Sequence, residues 1–342
     1  MQAWVIRQHG GIEALEREER EEPVAEAGHV VVDVRAVGVN HLDLWVRRGV
    51  PGVRFPLPII PGSDVCGVIS SVGADVHDLA VGSEVIVAPA LSCGRCAACH
   101  HGRDHQCRAY RILGEHCDGG YTERIAVPRT SIFPKPPTLD FATGAAIGIP
   151  FLTAWHMLVA RAELRPGETV LVQAAGSGVG SAAVQIAKLW GATVIATTGS
   201  DTKVARARAL GADEVLCYAN EDIGARVRQL TGGRGVDVVI EHVGAATWEA
   251  SLRALGWHGR LVTCGATTGA DVQVNLRQLF FKQLSLLGST MGSKGELWDI
   301  LAHIAAGRLR PVVDRTLPLQ EARTAHALIE ARQVFGKLVL VN

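Results

Sequence analysis

The stretch Thr169-Val-Leu-Val-Gln-Ala174-Ala-Gly-Ser-Gly-Val-Gly180-Ser-Ala-Ala-Val-Gln-Ile-Ala-Lys-Leu189 decides the fold. Thr169–Ala174 reads as a buried strand, and Val179–Leu189 carries its apolar residues at helical spacing. Between them lies a glycine-rich turn, Gly176-Ser177-Gly178-Val179-Gly180. Such a turn lets backbone approach a pyrophosphate, while the following helix N-terminus offers N–H groups and a positive dipole. The Gly-x-Gly-x-x-Gly pattern is imperfect, with Ser181 in its last place. Its context is complete: a strand before, a helix after, and a second strand ending about twenty residues on.

Outward from this turn, helices and strands alternate. Phe151–Leu164 reads as an amphipathic helix stopped by Arg165-Pro166-Gly167. Strands follow at Thr193–Thr198, Glu214–Cys217, Val236–Glu241 and Arg260–Gly265, with a helix at about Thr202–Leu210. This alternation means an α/β, doubly wound parallel sheet with helices on both faces. At the end of the second strand, where an acid would bind a ribose 2′-hydroxyl, the chain has Thr198, followed by Gly199, Ser200, Asp201, Thr202 and Lys203. Loss of the carboxylate and gain of a cation favour NADP(H) over NAD(H).

The first 150 residues differ. Short β-branched runs (Val30–Val34, Val65–Val72, Glu84–Ala88, Tyr121–Val127) are separated by Gly and Pro, as expected of a compact β-rich domain. A lobe of about residues 91–110 interrupts it with Cys93, Cys96, Cys99 and Cys107, spaced Cys-x2-Cys-x2-Cys-x7-Cys. Four thiolates so close match a closed tetrahedral Zn²⁺ site of the structural kind. The tail strand beginning Lys337-Leu-Val-Leu-Val is expected to rejoin this domain. The expected boundaries are 1–149 with 290–342 for the β-rich domain, and 150–289 for the dinucleotide-binding domain.

Composition narrows the function. Lys plus Arg equals Asp plus Glu, at 34 each, so neither nucleic acid nor an anionic membrane is an expected partner. No apolar stretch is read as long enough, at about 18 residues, to span a bilayer. The N-terminus shows no basic-then-apolar leader, and a cytoplasmic location is expected.

The cysteine lobe, the glycine turn and the order of elements together resemble the medium-chain dehydrogenase/reductase superfamily, the family of zinc alcohol dehydrogenases and quinone oxidoreductases. Gly38-Val-Asn-His-Leu-Asp43, Pro61-Gly-Ser-Asp64, Gly119-Gly-Tyr121, Leu152-Thr-Ala154 and Gly336-Lys337 extend the likeness over the whole chain. The resemblance implies a GroES-like catalytic domain, a Rossmann domain and an active site in the cleft between them. It also implies a homodimer or homotetramer, formed by pairing the strand near Leu286–Met291. It puts His41 near the pyrophosphate, Thr153 against the nicotinamide, and Val243 with Gly265, Ala266 and Thr267 at the ribose or carboxamide. Tyr218 falls at the adenine end, and Ser200, Lys203 and Lys337 join the cofactor-binding set.

The departures decide the chemistry. Zinc alcohol dehydrogenases of the family take catalytic metal ligands at positions that here hold Asn40, Ser63 (followed by Asp64) and approximately Ile149; the proton-relay position holds Leu42. Structural zinc is thus expected and catalytic zinc is not. Oxidising an alcohol needs its proton removed, which a metal assists; a quinone or enone needs only hydrogen bonds to the oxygen that gains charge. The expected activity is NAD(P)H-dependent reduction of such small molecules, with Asn40 as donor, Asp43 fixing its geometry and Thr153 at the nicotinamide. The alternatives are a true zinc alcohol dehydrogenase with a metal site rebuilt from Asn40, His41, Asp64, His116 and Cys117, and a non-catalytic dinucleotide-binding protein. A zinc-finger nucleic-acid module is disfavoured by the neutral charge.

Overall fold

The computed structural model describes all residues, 1–342. The chain forms two compact units, Met1–Ile149 with Ser293–Asn342, and Pro150–Gly292. Its strands are β1 (Gln2–Ile6), β2 (Leu15–Glu19), β3 (His29–Gly38), β4 (Asp64–Val72), β5 (Glu84–Val87), β6 (Ala90–Leu91), β7 (Arg111–Ile112), β8 (Arg124–Pro128), β9 (Ile132–Pro134), β10 (Thr169–Val172), β11 (Thr193–Thr198), β12 (Glu214–Cys217), β13 (Val236–Glu241), β14 (Leu255–Thr263), β15 (Ser285–Gly288), β16 (Val313–Pro318) and β17 (Lys337–Val341).

In the first unit, β3 is the spine of a seven-stranded sheet. Its ten residues are long enough to serve two partners on one edge: β8 pairs with His29–Asp33, and β17 with Ala36–Gly38. β4, β5 and β9 follow on the other edge, and β16 lies outside β17. Register shifts between β3 and β4 near Val31 and Val34 are bulges, which bend a sheet. Val30, Val32, Val34 and Val37 of β3 enter one core with Val65, Ile69, Val85, Leu338 and Leu340. The charged run Glu16–Glu22 begins in β2, which pairs only with β1.

The second unit is a six-stranded parallel sheet in the order β12-β11-β10-β13-β14-β15. The winding reverses between β10 and β13, which creates the crevice where such folds bind ligands. Leu171, Ile195, Leu216, Val239 and Leu261 stack from strand to strand beneath Val227 and Leu252 of the helices Ile223–Leu230 and Ala245–Ala254.

Three local expectations change. β14 starts at Leu255 rather than Arg260, because its pairing with β13 is interrupted between Val236 and Val238. The intervening Trp257 is exposed and His258 takes φ +59°, so the strand's start does not alternate. The helix expected at Phe151–Leu164 starts at Gly148 and widens into a π-helical turn over His156–Arg161. Joined to the turn Phe141–Gly144, it forms an apolar run of 21 residues, Phe141–Arg161. That exceeds the expected limit, since Gly144, Gly148 and Pro150 disguise its continuity in the sequence. Buried within the protein over 78% of its most apolar window, it is a core element.

Candidate active site

Two of the three positions that departed from the zinc-ligand pattern, Asn40 and Ile149, converge on one carboxylate in the first unit, that of Asp64 beside the third. Asp64 opens β4 with its side chain wholly buried. Its Oδ1 accepts from the Ile149 backbone N–H at 2.6 Å, and its Oδ2 accepts from Asn40 Nδ2 at 3.0 Å and Lys337 Nζ at 2.9 Å. Lys337, the first residue of β17, places its remaining two N–H groups on Asn40 Oδ1 at 2.6 Å and the Val39 carbonyl at 2.8 Å. An ammonium has three donors, and all three are used here. Ser63 turns the other way and donates to the Leu113 carbonyl at 2.6 Å.

Two neighbours of fixed polarity orient the Asn40 amide: the ammonium must face its oxygen and the carboxylate its nitrogen. Its second N–H reaches the Gly38 carbonyl at 3.3 Å. The role expected for Asn40, an N–H offered to a substrate oxygen, therefore needs correction. Both N–H groups are committed, and the residue is a brace between β3, β4 and β17.

Asp43 lies in the first turn of the helix His41–Arg48 and is fully buried. It accepts from the Asn40 N–H (2.7 Å), the Gly62 N–H (3.1 Å) and the Tyr121 hydroxyl (3.2 Å), so it fixes Asn40 through the backbone. Burial pushes its carboxyl up to about 6, against the Asn40 N–H and the Lys337 charge, which favour ionisation. Behind it the hydrogen bonds run one way. Arg47, which can only donate, reaches His326 Nδ1 at 3.1 Å. His326 therefore carries its proton on Nε2, toward the Tyr121 oxygen at 3.2 Å, and Tyr121 donates to Asp43. Burial, reinforced by Arg47 and Arg48, holds the imidazole down at about 3. Arg47 is itself neutralised by Glu330. Nothing in the sequence pattern marks Tyr121, His326 and Arg47 as one chain of contacts. His41, the first residue of the same helix, is exposed.

In the second unit the glycine turn closes as a helix start. Ser177 caps Gly178–Leu189, its hydroxyl accepting from the Gly180 N–H at 2.9 Å. Ala174 enters the turn at φ +48°, a left-handed conformation that costs a residue with a Cβ about 1–2 kcal/mol. A Cβ on Gly180 would lie 2.3 Å from the Ala174 carbonyl oxygen. Gly180 is thus the glycine of close strand–helix approach, which makes Ser181 unremarkable.

Beneath the turn lies a network the sequence reading missed. Glu241, at the end of β13, is fully buried and accepts from Val243 N (2.7 Å), Gly244 N (3.1 Å), Thr247 Oγ1 (2.8 Å) and Ser251 Oγ (2.6 Å). Gln173 Nε2 donates to Ser251 Oγ, and Thr197 Oγ1 donates to Gln173 Oε1 at 2.7 Å. The ends of β10, β11 and β13 are so tied together. His242 lies 2.9 Å from the Gln173 carbonyl and 3.4 Å from Ser177 Oγ through Nε2; burial holds its imidazole below the usual histidine range. An acid directly after the apolar run Val238-Val239-Ile240 was the one available signal.

The remaining cofactor candidates gather along the same sheet edge. Val243 accepts at its carbonyl from Thr267 Oγ1 (3.3 Å) and from Thr268 Oγ1 (2.7 Å), which joins its loop to Gly265-Ala266-Thr267. Thr198 is buried, with its hydroxyl toward the Ser200 carbonyl at 3.3 Å. Ser200 Oγ pairs with Thr202 Oγ1, one residue before Lys203. Tyr218 is 41% exposed and overlies Gly199, where a Cβ would come within 2.4 Å of its hydroxyl. Thr153 is buried beside Met291, with Oγ1 3.9 Å from the sulfur.

The cysteine lobe fits zinc. The four sulfurs lie within 4.8 Å of one another, with contacts of 3.5 Å (Cys96–Cys99 and Cys93–Cys107) and 3.9 Å (Cys93–Cys99). A tetrahedron of Zn–S bonds of about 2.3 Å has edges of about 3.8 Å. All eight cysteines are free thiols. Cys107 Sγ also accepts from the Ala109 N–H at 3.4 Å. Bound there, the metal would order the lobe and take no part in the reaction.

Comparison with known proteins places these sites in a family. Residues 26–137 match the alcohol dehydrogenase GroES-like domain, and residues 178–306 match the zinc-binding dehydrogenase family. The chain is 30% identical to human quinone oxidoreductase, over 100% of this chain and 98% of that protein. It is 31% identical to an NAD-dependent alcohol dehydrogenase of Saccharolobus solfataricus, over 93% of this chain and 94% of the other. A crystal structure of an NAD-dependent alcohol dehydrogenase superposes with a TM-score of 0.96 at 47% identity, covering both chains completely. With its GroES-like and Rossmann domains, its cysteine lobe and these relatives, the chain belongs to the medium-chain dehydrogenase/reductase superfamily and is an oxidoreductase.

Proposed function

We propose that this enzyme reduces quinones, enones or related activated double bonds without a catalytic metal. The observation that carries the proposal is the closed arrangement around Asp64. Its charge is balanced by the Lys337 ammonium, and both its oxygens and the Asn40 amide are engaged by protein groups. The four lobe cysteines are the one group of three or more His, Cys, Asp or Glu with converging ligand atoms. Asn40, His41, Asp64, His116 and Cys117 form no such group. A nicotinamide cofactor, when bound, would supply the hydride; this chain's part is to hold Asn40, Asp43 and the glycine turn rigid.

The test is zinc content with substrate profiling. About one zinc per chain, with reduction of naphthoquinones or enones indifferent to chelator, is the expected result. Two zincs and chelator-sensitive benzyl alcohol oxidation would overturn it, in favour of the second reading. That reading, alcohol oxidation, is supported by the likeness to an NAD-dependent alcohol dehydrogenase at 47% identity.

NADP(H) is the proposed cofactor form, supported by Thr198 in place of an acid and by Ser200 and Lys203 beside it. Titration of NADPH against NADH by fluorescence decides it, and tighter NADH binding would reverse the assignment. A homodimer through β15 is supported by its open edge and by the exposed Leu276, Phe280, Phe281 and Trp257 near it in sequence or in the sheet. Light scattering on the purified protein tests that state, and a monomer at micromolar concentration would refute it.

A further inference from the structure

Lys294 begins the helix Lys294–Ala305, yet its backbone N–H and its ammonium both hydrogen-bond to the cysteine lobe, some 190 residues earlier. Its backbone N–H donates to Asp104 Oδ1 at 2.9 Å. Asp104 is a buried residue in the short turn between Cys99 and Cys107. The Lys294 ammonium makes one long hydrogen bond, 3.4 Å to the hydroxyl of Ser92, the neighbour of Cys93. No carboxylate forms an ion pair with it at the 4 Å limit for such contacts. A half-buried ammonium with so little hydrogen bonding calls for a countercharge. Burial pushes this ammonium below the usual lysine range, and the nearby charges of Asp104, Cys99 and Cys107 oppose that effect.

A zinc ion with four thiolates has a net charge of about −2, since four negative sulfurs exceed the dication by two. The lobe's own cations, Arg95, Arg103 and Arg108, are all exposed, where solvent and salt weaken them. Lys294 reaches the lobe from a helix outside it, through Asp104 and Ser92.

We propose that Lys294 is the outer-shell cation of the tetrathiolate zinc centre, and that with Asp104 it clips the lobe to the helix and sets how tightly the metal is held. This rests on the reading that the lobe holds zinc. Outer-shell partners of metal ligands are typically worth 10–100-fold in metal affinity. The clip acts through the ligands' charge and position, so its loss is felt in metal retention before it is felt in fold.

The experiment compares full-length, zinc-loaded wild type with Lys294→Met, Lys294→Arg and Arg103→Met. Zinc transfer to a chromogenic chelator is followed at low salt and at about 0.5 M salt, where exposed charges are screened. Lys294→Met is expected to release zinc roughly 10–100-fold faster at both salt concentrations, with Lys294→Arg close to wild type. Arg103→Met is expected to match wild type at high salt. A Lys294→Met protein that is folded by circular dichroism but purifies without zinc, beside a zinc-replete Lys294→Arg, is the extreme form of the same result. Release at the wild-type rate from Lys294→Met, or equal acceleration by Arg103→Met at high salt, would overturn the proposal. Wild type purifying folded and without zinc would instead remove the zinc reading on which it rests.

Discussion

Replacing Lys337 with Met tests the centre of the first unit most directly. The substitution keeps the length of the side chain and removes the charge. It deletes three hydrogen bonds, at 2.6, 2.8 and 2.9 Å, and leaves the buried Asp64 carboxylate with only the Asn40 and Ile149 N–H groups. Breaking a buried ion pair from one side costs about 3–5 kcal/mol, because the surviving charge has lost its partner. Neither side chain is more than 5% exposed, so solvent screening does not reduce that figure. For a unit of this size each kcal/mol is worth roughly 2–4 °C, so thermal denaturation should fall by about 6–20 °C. Asp64→Asn combined with Lys337→Met removes both charges and should recover more than half of the loss. The assay is chemical and thermal unfolding of the two single variants and the double. A Lys337→Met cost below about 1 kcal/mol, or a double variant equal to the sum of the singles, would show that the pair does not balance a buried charge.

Gly180→Ala should destabilise the protein by about 1–3 kcal/mol and abolish NAD(P)H fluorescence enhancement, since the new Cβ meets the Ala174 carbonyl oxygen at 2.3 Å and Ala175 Cα at 2.8 Å; wild-type cofactor affinity would refute the close-approach argument. Cys96→Ser should take zinc well below one per chain and make residues near 91–110 sensitive to protease; a zinc-replete, protease-resistant variant would count against the lobe as the metal site. Asp43, raised by burial to about 6 from about 4 when unfolded, binds its proton more tightly in the folded state. Its contribution is therefore intact below pH 4 and is lost as pH rises through 6, a change of roughly 3 kcal/mol. Asp43→Asn should flatten stability over pH 4–6, as read by urea midpoints at each pH, and an unchanged slope there would sink the assignment.

Much of this was legible because it is periodic or local. Thr193–Thr198, Glu214–Cys217 and Val236–Glu241 coincide with β11, β12 and β13, since parallel strands buried on both faces read as apolar runs. The cysteine spacing alone placed four sulfurs together. What stayed hidden was long-range and polar. Lys337 reaches Asn40 across 297 positions, and no local pattern distinguishes an ammonium facing a carboxylate from one facing a phosphate. Tyr121 and His326 are separated by 205 positions, and each alone reads as an ordinary packing residue. The role expected of Asn40 missed because an amide's chemistry was read without its neighbours, which had already claimed both of its N–H groups.

That correction sharpens the chemical argument. Removing a proton from an alcohol calls for a base with a free lone pair, or for a metal that makes the base unnecessary. Around Asn40 the buried carboxylates and imidazole of the first unit are already engaged. Asp64 accepts three hydrogen bonds and faces an ammonium, and Asp43 accepts three and is sealed by Tyr121 and Gly62. The His326 imidazole has its acceptor nitrogen occupied by Arg47. A site whose bases are all engaged is suited to substrates that need no base: those whose carbon accepts hydride and whose oxygen spreads the arriving charge over a conjugated system. On this reading the buried ion pair is a structural replacement for metal ligation. It keeps Asn40, Asp64 and Ile149 together by hydrogen bonds, with Lys337 bridging Asp64 and the Asn40 amide oxygen.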